Sequence, residues 1–485
     1  MSVGQAEAAV REAGGVRLLS TERTAPGEET LSRLRDIAGL PFVRGPVVAL
    51  GDVHWKPRME TPSSTATATE GEIVLGLSSS SQNCGMTVLS TPFGAEEAGE
   101  HSFLVRLMTR IREAIPRSRR EPIITRDEAI GFALGGAAAA GRRYGLDPAV
   151  LEGIEEGGSL FGPGGADRDE LLSAVDEAAL EKGRLSFAFI GGGNHFLEVQ
   201  AVEEILDQEA CRALGIAPGR IMVMFHTGSE RFGSDLGRLY SVRLKTSPNR
   251  RRKYFFRKIP LHLMRGRPGL SSAAARMGYF FSRRPYVPVP ADSPDGRRLA
   301  LTLKAAGNYG YANRVAVLDL ILRAMKETAG GGTEGFRVVA DLSHNVIARE
   351  AVDGRELWVH RHNSVRLRPP SAFPEGSLYR RIGQPSMLPG TNRSSSYILL
   401  SREGTARTLN SADHGAGRTV ELFEERGWCR PRPERRTLKF GYGSPAPEIV
   451  THVSDEGIEE VVSLLARNGV AVPAARLRPL AVLKG

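Results

Sequence analysis

Four short segments end in side chains that bind metals. "FAFIGGGNHFLE" sets Asn194, His195 and Glu198 behind three glycines, "IMVMFHTGS" ends on His226, "FRVVADLSHN" on His344, and "IVLGLSSSSQNCG" on Cys84. Each is an apolar, β-like run that stops in a polar cluster, which predicts strands with a thiol or an imidazole at their ends. A thiolate and three imidazoles that converge would suit zinc or a manganese-class ion; donor type does not choose between them. Their spacing fits no zinc-finger pattern, so the inference rests on the repeated position at the polar end of an apolar run. The glycines at 191–193 allow positive φ and close approach of a ligand. A fifth segment, "SADHGAGR", sets His414 among small residues. Imidazole can attack phosphorus to give a phosphoramidate, and glycine backbone N–H groups can cradle phosphates. "PGTNRSSSY" adds hydroxyls and amides on a turn.

The elements that must position these groups follow from periodicity and punctuation. Residues 1–45 read as a helix-rich lead-in, with "TLSRLRDIAGL" at helical spacing and Pro41 as its stop. "GPVVALGDVH" reads as a short buried strand, and 56–70 as a Pro/Ser/Thr-rich loop. Helices are expected at 102–114, 126–146, around 169–182 and near 202–214. "LSFAFI" reads as a strand running into the glycines. "SPDGRRLALTLKAAGNYGYANRVAVLDLILRAMKET" reads as a long helix closed by glycines at 329–332. The C-terminal "VVSLLARNGVAVPAARLRPLAVLKG" reads as a helix, a loop and a short extended tail, too apolar to float free. The candidate ligands span residues 84 to 344, so one interwoven domain over 1–485 is expected rather than separable modules.

Composition narrows the class. The chain has 485 residues, 41% hydrophobic and 25% charged, an ordinary globular balance. Three cysteines argue against a disulfide framework and for a reducing, cytoplasmic setting. The N-terminus lacks the pattern of a signal peptide. The most apolar stretch, "AIGFALGGAAAAG", is too short to span a bilayer. The net charge is +10, yet residues 236–291 alone carry 14 Lys or Arg and no Asp or Glu. "NRRRKYFFRK" within this block mixes bases with aromatics, which suits a phosphate backbone with unstacked bases. Arg250, Arg251, Arg252 and Lys253 are the candidate RNA contacts, against a plainer reading as a solvated insertion whose aromatics dock it.

Taken together, "GPVVALGDVH", "NCG", "GGGNHFLEVQ", "VMFHTGS", "AAGNYGYANR", "DLSHN", "VHRHNS", "GQPSMLPGTNRSSSY", "DHGAGR" and "ARLRPLAVLKG" resemble, in order, the RtcB RNA ligases, over about Leu31 to Gly485. The resemblance implies an α+β fold with mixed sheets around a central metal and GMP cleft, flanked by helices, with 236–291 as a basic insertion. It implies a GTP- and Mn2+-dependent ligase joining an RNA 3′-phosphate or 2′,3′-cyclic phosphate end to a 5′-hydroxyl end, in tRNA splicing or RNA repair. It also implies two manganese ions, with Cys84 bridging them, His195 on the first, and His226 and His344 on the second. His414 would take GMP from GTP. Asn194, His195, Phe196, Leu197, Glu198, His344, Asn345, Pro389, Gly390, Thr391, Asn392, Ser396, Gly415, Ala416, Gly417 and Lys484 would line the guanylate pocket, with Lys484 reading guanine. The partners implied are RNA ends and, as one to look for, an activating protein; no membrane is involved.

The chain departs from the family pattern at several positions. Ser81 stands where the family has an aspartate on the first ion, and a hydroxyl is a poorer ligand than a carboxylate for a hard dication. Glu230 replaces an arginine, Ser234 a histidine, His362 a lysine and Arg393 a glycine. Three outcomes are compatible with this pattern: a divergent active ligase, a protein that binds RNA ends or guanylylates itself without joining them, or a metal-dependent phosphodiesterase acting on the cyclic end only.

Overall fold

The computed structural model describes residues 9–485 except 58, 80, 99, 163–164, 241–247, 261–285, 331–334 and 445. Two mixed sheets face one another. The larger runs in the order Arg337–Ser343, Gly85–Gly94, Arg220–Thr227, Phe196–Ile205, Ala471–Lys484, Ser396–Ser401, Pro385–Leu388, and Pro431–Gly441 pairs in parallel with Ala471–Lys484. The smaller runs Ala9–Ala13, Val16–Ser20, Val47–His54, Ser63–Thr69, Arg355–His362, Ile347–Val352.

Alternation along Arg220–Thr227 shows how the layers form. Ile221, Val223 and Phe225 enter a core shared with the helices His101–Ala114, Arg126–Tyr144 and Pro294–Ala329. Met222 and Met224 enter a second core, packed against Val48, Leu50, Ala66 and Ala68 of the smaller sheet. His226 continues the Met222–Met224 parity, so its imidazole lies between the two sheets. A third core, with Leu34 and Ile37 of the helix Glu28–Ala38, covers the outer face of the smaller sheet.

Several expected elements take another form. The lead-in begins with the strands Ala9–Ala13 and Val16–Ser20 and holds one helix, because the smaller sheet recruits them. Residues Ser63–Thr69 form a fully buried strand despite their Ser/Thr composition; Thr is β-branched and fits a pleated surface. The helix near 169–182 is two, Arg168–Ala174 and Glu177–Leu185, each capped by an aspartate side chain. The helix near 202–214 is shorter, Gln208–Leu214, because its first residues extend the strand Phe196–Ile205. "LSFAFI" is buried but is no strand, and "IVLGL" contains a single 3-10 turn, Leu75–Leu77. The C-terminal tail is a strand of 14 residues inside the larger sheet. The long helix is as expected, with Ser293 capping Gly296 N–H and Gly330 closing it in the left-handed conformation.

Of the basic block, the described parts are the end of the helix Glu230–Tyr240, the helix Pro248–Ile259 and residues from 286 onward. Side chains of Arg250 and Arg251 lie outside the described residues; Arg252 and Lys253 are exposed. Tyr254 donates to Asp235 at 2.6 Å and Arg257 donates to Asp176 at 2.6 Å, so these two side chains of the block anchor it to the body. No helix among the described residues is long and apolar enough to cross a membrane.

Candidate metal and nucleophile site

Four strand ends meet at one edge of the larger sheet. Cys84 immediately precedes Gly85–Gly94 and His195 immediately precedes Phe196–Ile205, while His226 ends Arg220–Thr227 and His344 follows Arg337–Ser343. Two donors therefore lie before their strands and two at or after the ends, a different arrangement from four strand ends of one kind. Antiparallel pairing turns this into convergence: Ser343 faces Gly85, Thr227 faces Gly85, and Phe196 faces His226.

The donor atoms form a chain. Cys84 Sγ lies 3.0 Å from His195 Nε2 and 3.0 Å from His226 Nε2. His226 Nε2 lies 3.1 Å from His344 Nε2. The ligand atoms of Cys84, His226 and His344 all fall within 4.8 Å of one another, and all three residues are buried. The ring of His414 follows at 4.6 Å from that of His344, centroid to centroid. His195 donates its Nδ1 proton to the Ile190 carbonyl at 2.7 Å, which turns Nε2 toward the Cys84 sulfur. His226 is hydrogen-bonded to the Asn194 backbone. Nδ1 of His344 is buried without a hydrogen-bond partner among the described residues.

Burial sets the protonation. It lowers His226 and His344 well below the usual histidine range, and the neighbouring imidazoles lower them further. Burial would also lower His195, but the neighbouring Cys84 sulfur and Glu230 outweigh it and hold that ring up. His414 is pushed down to about 3 by burial and then by nearby His54. Its imidazole is thus neutral and keeps a lone pair at neutral pH. The unprotonated ring nitrogens of His226 and His344, 3.1 Å apart and beside the Cys84 sulfur, suit a cation. The donor set of one thiol and three imidazoles therefore fits a borderline divalent metal.

The long helix holds this edge in place. Asn313 donates to Gly228 O at 2.9 Å and to Thr227 Oγ1 at 3.1 Å and accepts from Ala188 N at 2.6 Å, tying the loop before His195 to the end of the His226 strand. Arg314 pairs with Asp341 at 2.7 Å, fully buried, and donates to the Asn83 carbonyl at 3.0 Å. Asn83 sits at φ 52°, so Arg314 and the Asn345 carbonyl, 3.0 Å from Asn83 N, fix a turn that aims Cys84. A Cβ at Gly85 would stand 2.7 Å from the Leu342 carbonyl, which is why the residue after the cysteine is glycine.

His414 is carried by a separate two-stranded ladder of Ser364–Arg366 with Ser411–Asp413. Asp413 accepts from the N–H groups of Gly51 and Asp52 at 3.1 and 2.9 Å. Asp52 accepts from Thr419 N and Oγ1 at 2.6 and 2.7 Å, holding the start of the helix Gly417–Glu425. Ala416 N donates to Pro389 O at 2.9 Å and Gly415 packs on Pro389, so the 389–392 and 415–417 turns lie together. Glu198 is buried, its carboxyl pushed up to about 8 by burial and eased by Gln200 and Lys484. Val482 and Lys484 face Glu198 and Phe196 across the ladder, and Gln200 bridges to Ser396 at 3.0 Å. Asn345 accepts from Asn363 N at 3.0 Å. Asn194 is exposed at the mouth. Leu197 alternates away, its side chain in the helix-side core.

Sequence reading passed over Asn83, Asn313, Arg314, Asp341, Asp52 and Asp413. A visible signal was there for two of them: Asn313 and Arg314 are polar interruptions in an apolar helix. Ser81 starts the Cys84 turn, its carbonyl 3.4 Å from Cys84 N. Glu230, which stands in place of the family's arginine, lies 3.2 Å behind His195 Nδ1.

Residues 33–485 match the family model described as tRNA-splicing ligase RtcB. An RNA-splicing ligase RtcB of Mycobacterium tuberculosis is 28% identical over 474 residues, 93% of this chain and 99% of that protein. A tRNA-splicing ligase RtcB of Pyrococcus furiosus is 31% identical over 349 residues, 69% of this chain and 33% of that protein, so the chain spans about a third of that relative's length. That of Thermococcus kodakarensis is 31% identical over 353 residues, 69% of this chain and 65% of the relative. A family match that begins at residue 33 and runs through every segment of the site means that this chain belongs to the RtcB family.

Proposed function

We propose that this protein is an RNA ligase that joins a 3′-phosphate or 2′,3′-cyclic phosphate end to a 5′-hydroxyl end, with GTP as the energy source and Mn2+ as the metal. The observation that carries the reading is the cluster of Cys84, His226 and His344 at one sheet edge with the His414 ring 4.6 Å beyond His344, in a chain of the RtcB family. Cys84 with His195 would hold one ion, and Cys84 with His226 and His344 another. Bound there, the metal would neutralise phosphate charge and orient attacking and leaving oxygens.

The neutral imidazole of His414 would attack the α-phosphorus of GTP, forming an N–P bond as pyrophosphate leaves. The RNA 3′-phosphate would then displace the imidazole and carry GMP, which turns a poor leaving group into a good one. The 5′-hydroxyl would attack the phosphorus of the RNA 3′-phosphate, lose its proton and release GMP as the bond to it breaks. A cyclic phosphate would first be hydrolysed. The turns Pro389–Asn392 and Gly415–Gly417, with Asn345 and Ser396, would seat the guanylate phosphate and ribose, and Glu198 and Lys484 the base. The candidate ligands and nucleophile span residues 84 to 414, so the chain would act as one catalytic unit, with 236–291 as its basic RNA-facing insertion.

The test is incubation with α-labelled GTP and Mn2+, followed by RNA bearing 3′-phosphate and 5′-hydroxyl ends. Acid-labile label on the protein, lost in His414→Ala, and joined RNA are expected. Label that stays on the protein and never yields joined RNA would instead identify a self-guanylylating protein that does not ligate.

A further inference from the structure

We propose that Glu230 is a positioning residue of the metal site: its carboxylate backs His195 and makes Glu230, His195 and the Cys84-side ion a single relay. The inference rests on the reading that the cluster binds divalent metal. Three observations carry it.

The first is geometry. Glu230 Oε1 lies 3.2 Å from His195 Nδ1, while the opposite ring nitrogen faces Cys84 Sγ at 3.0 Å. The imidazole thus stands between a carboxylate and a thiol. A carboxylate or carbonyl on the far nitrogen of a metal-binding histidine fixes its tautomer and orientation and raises its basicity. Ile190 O supplies a neutral partner at 2.7 Å, and Glu230 adds the charge.

The second is the isolation of the carboxylate. The Glu230 side chain is only 14% exposed, and the one charged group in ion-pair range among the described residues is His195. Its other partner is the neutral Thr227 hydroxyl, which donates at 3.1 Å. A nearly buried carboxylate with no Lys or Arg beside it is costly unless positive charge lies close by. An ion held on the far nitrogen of the ring would supply that charge.

The third is that the backbone is bent to place it. Glu230 takes φ 47°, a left-handed conformation unusual for a residue with a side chain. Gly191, at φ 94°, leaves the space: a Cβ there would come 2.4 Å from His195 Nδ1 and 2.6 Å from Glu230 Oε2. Both sides of the pair are therefore shaped around it.

The experiment measures Mn2+ binding to the full-length protein by electron paramagnetic resonance, in wild type, Glu230→Gln, Glu230→Asp, Cys84→Ala and His195→Ala. Glu230→Gln keeps the shape and removes the charge. It is expected to weaken by about 10- to 100-fold the Mn2+ that Cys84→Ala and His195→Ala also weaken. Glu230→Asp should restore part of the loss, and in a His195→Ala background Glu230→Gln should have no further effect. Circular dichroism melts on each variant separate this from unfolding. Cys84-dependent binding that Glu230→Gln leaves unchanged overturns the relay alone. A full Glu230→Gln effect that persists without His195 also overturns it, since the path through the ring is then wrong. Wild-type protein that binds no Mn2+ better than Cys84→Ala overturns the metal reading and the relay with it.

Discussion

Single side chains in this site are defined by what stands behind them. Ile190 O sets the His195 tautomer, the Asn194 backbone sets that of His226, and burial keeps His414 neutral. Ser81 starts the turn that carries Cys84, and its hydroxyl would offer little to a hard cation there. Restoring a carboxylate with Ser81→Asp should tighten Mn2+ binding by about tenfold, as suits an added charged ligand. Titration of Mn2+ against both proteins checks this; equal affinity would mean that the turn before Cys84 does not point into the site.

At the scale of elements, the helix Pro294–Ala329 acts as the jig. Arg314 and Asp341 are 0% and 1% exposed, and the same guanidinium grips the turn ahead of Cys84. Arg314→Met leaves a buried carboxylate alone, which should cost about 3–5 kcal/mol in denaturant unfolding and also weaken metal binding. A loss of stability with intact metal affinity would show that the helix and the Cys84 turn are not coupled.

The His414 ladder makes a prediction in pH. Asp52 and Asp413 are fully buried, and burial lifts both to about 7 from an ordinary 3.8. The folded protein keeps protons that the unfolded chain releases. Their contribution is therefore complete below about pH 4 and is lost as pH rises through about 7. Asp52→Asn retains an acceptor for Thr419 and carries no charge. Its melting temperature should fall less than that of wild type between pH 5 and 8, by on the order of a few degrees. Parallel curves for the two proteins would sink this account.

Across the whole molecule, charge is uneven. The exposed Arg252 and Lys253 belong to a block with 14 basic residues and no acidic ones, while Arg257 is spent on Asp176. If the block faces RNA, Arg252→Gln with Lys253→Gln should weaken RNA binding across sequences. The slope of log K against log salt should also flatten by roughly 1 to 2. Fluorescence titrations over a range of KCl would show this, and an unchanged slope would place the RNA elsewhere.

The sequence by itself determined which thiol and imidazoles are the candidate donors and, through the family resemblance, the candidate nucleophile. Cys84, His195, His226, His344 and His414 stood out because thiols and imidazoles at the ends of apolar runs are few and chemically distinct. Periodicity also determined the long helix, whose Ser293 cap and Gly330 stop are local signals. The tertiary structure decided the rest. Whether Cys84 and His195 precede their strands or follow them depends on pairing partners far along the chain. The Ser/Thr-rich Ser63–Thr69 became a strand only because two neighbours in the smaller sheet bury it. Arg314, Asp341, Asp52 and Asp413 matter through contacts between residues far apart in the chain, which no local pattern encodes. Glu230 shows the difference most directly: the sequence marked it only as a glutamate in place of an arginine, and the fold put its carboxylate behind the His195 imidazole.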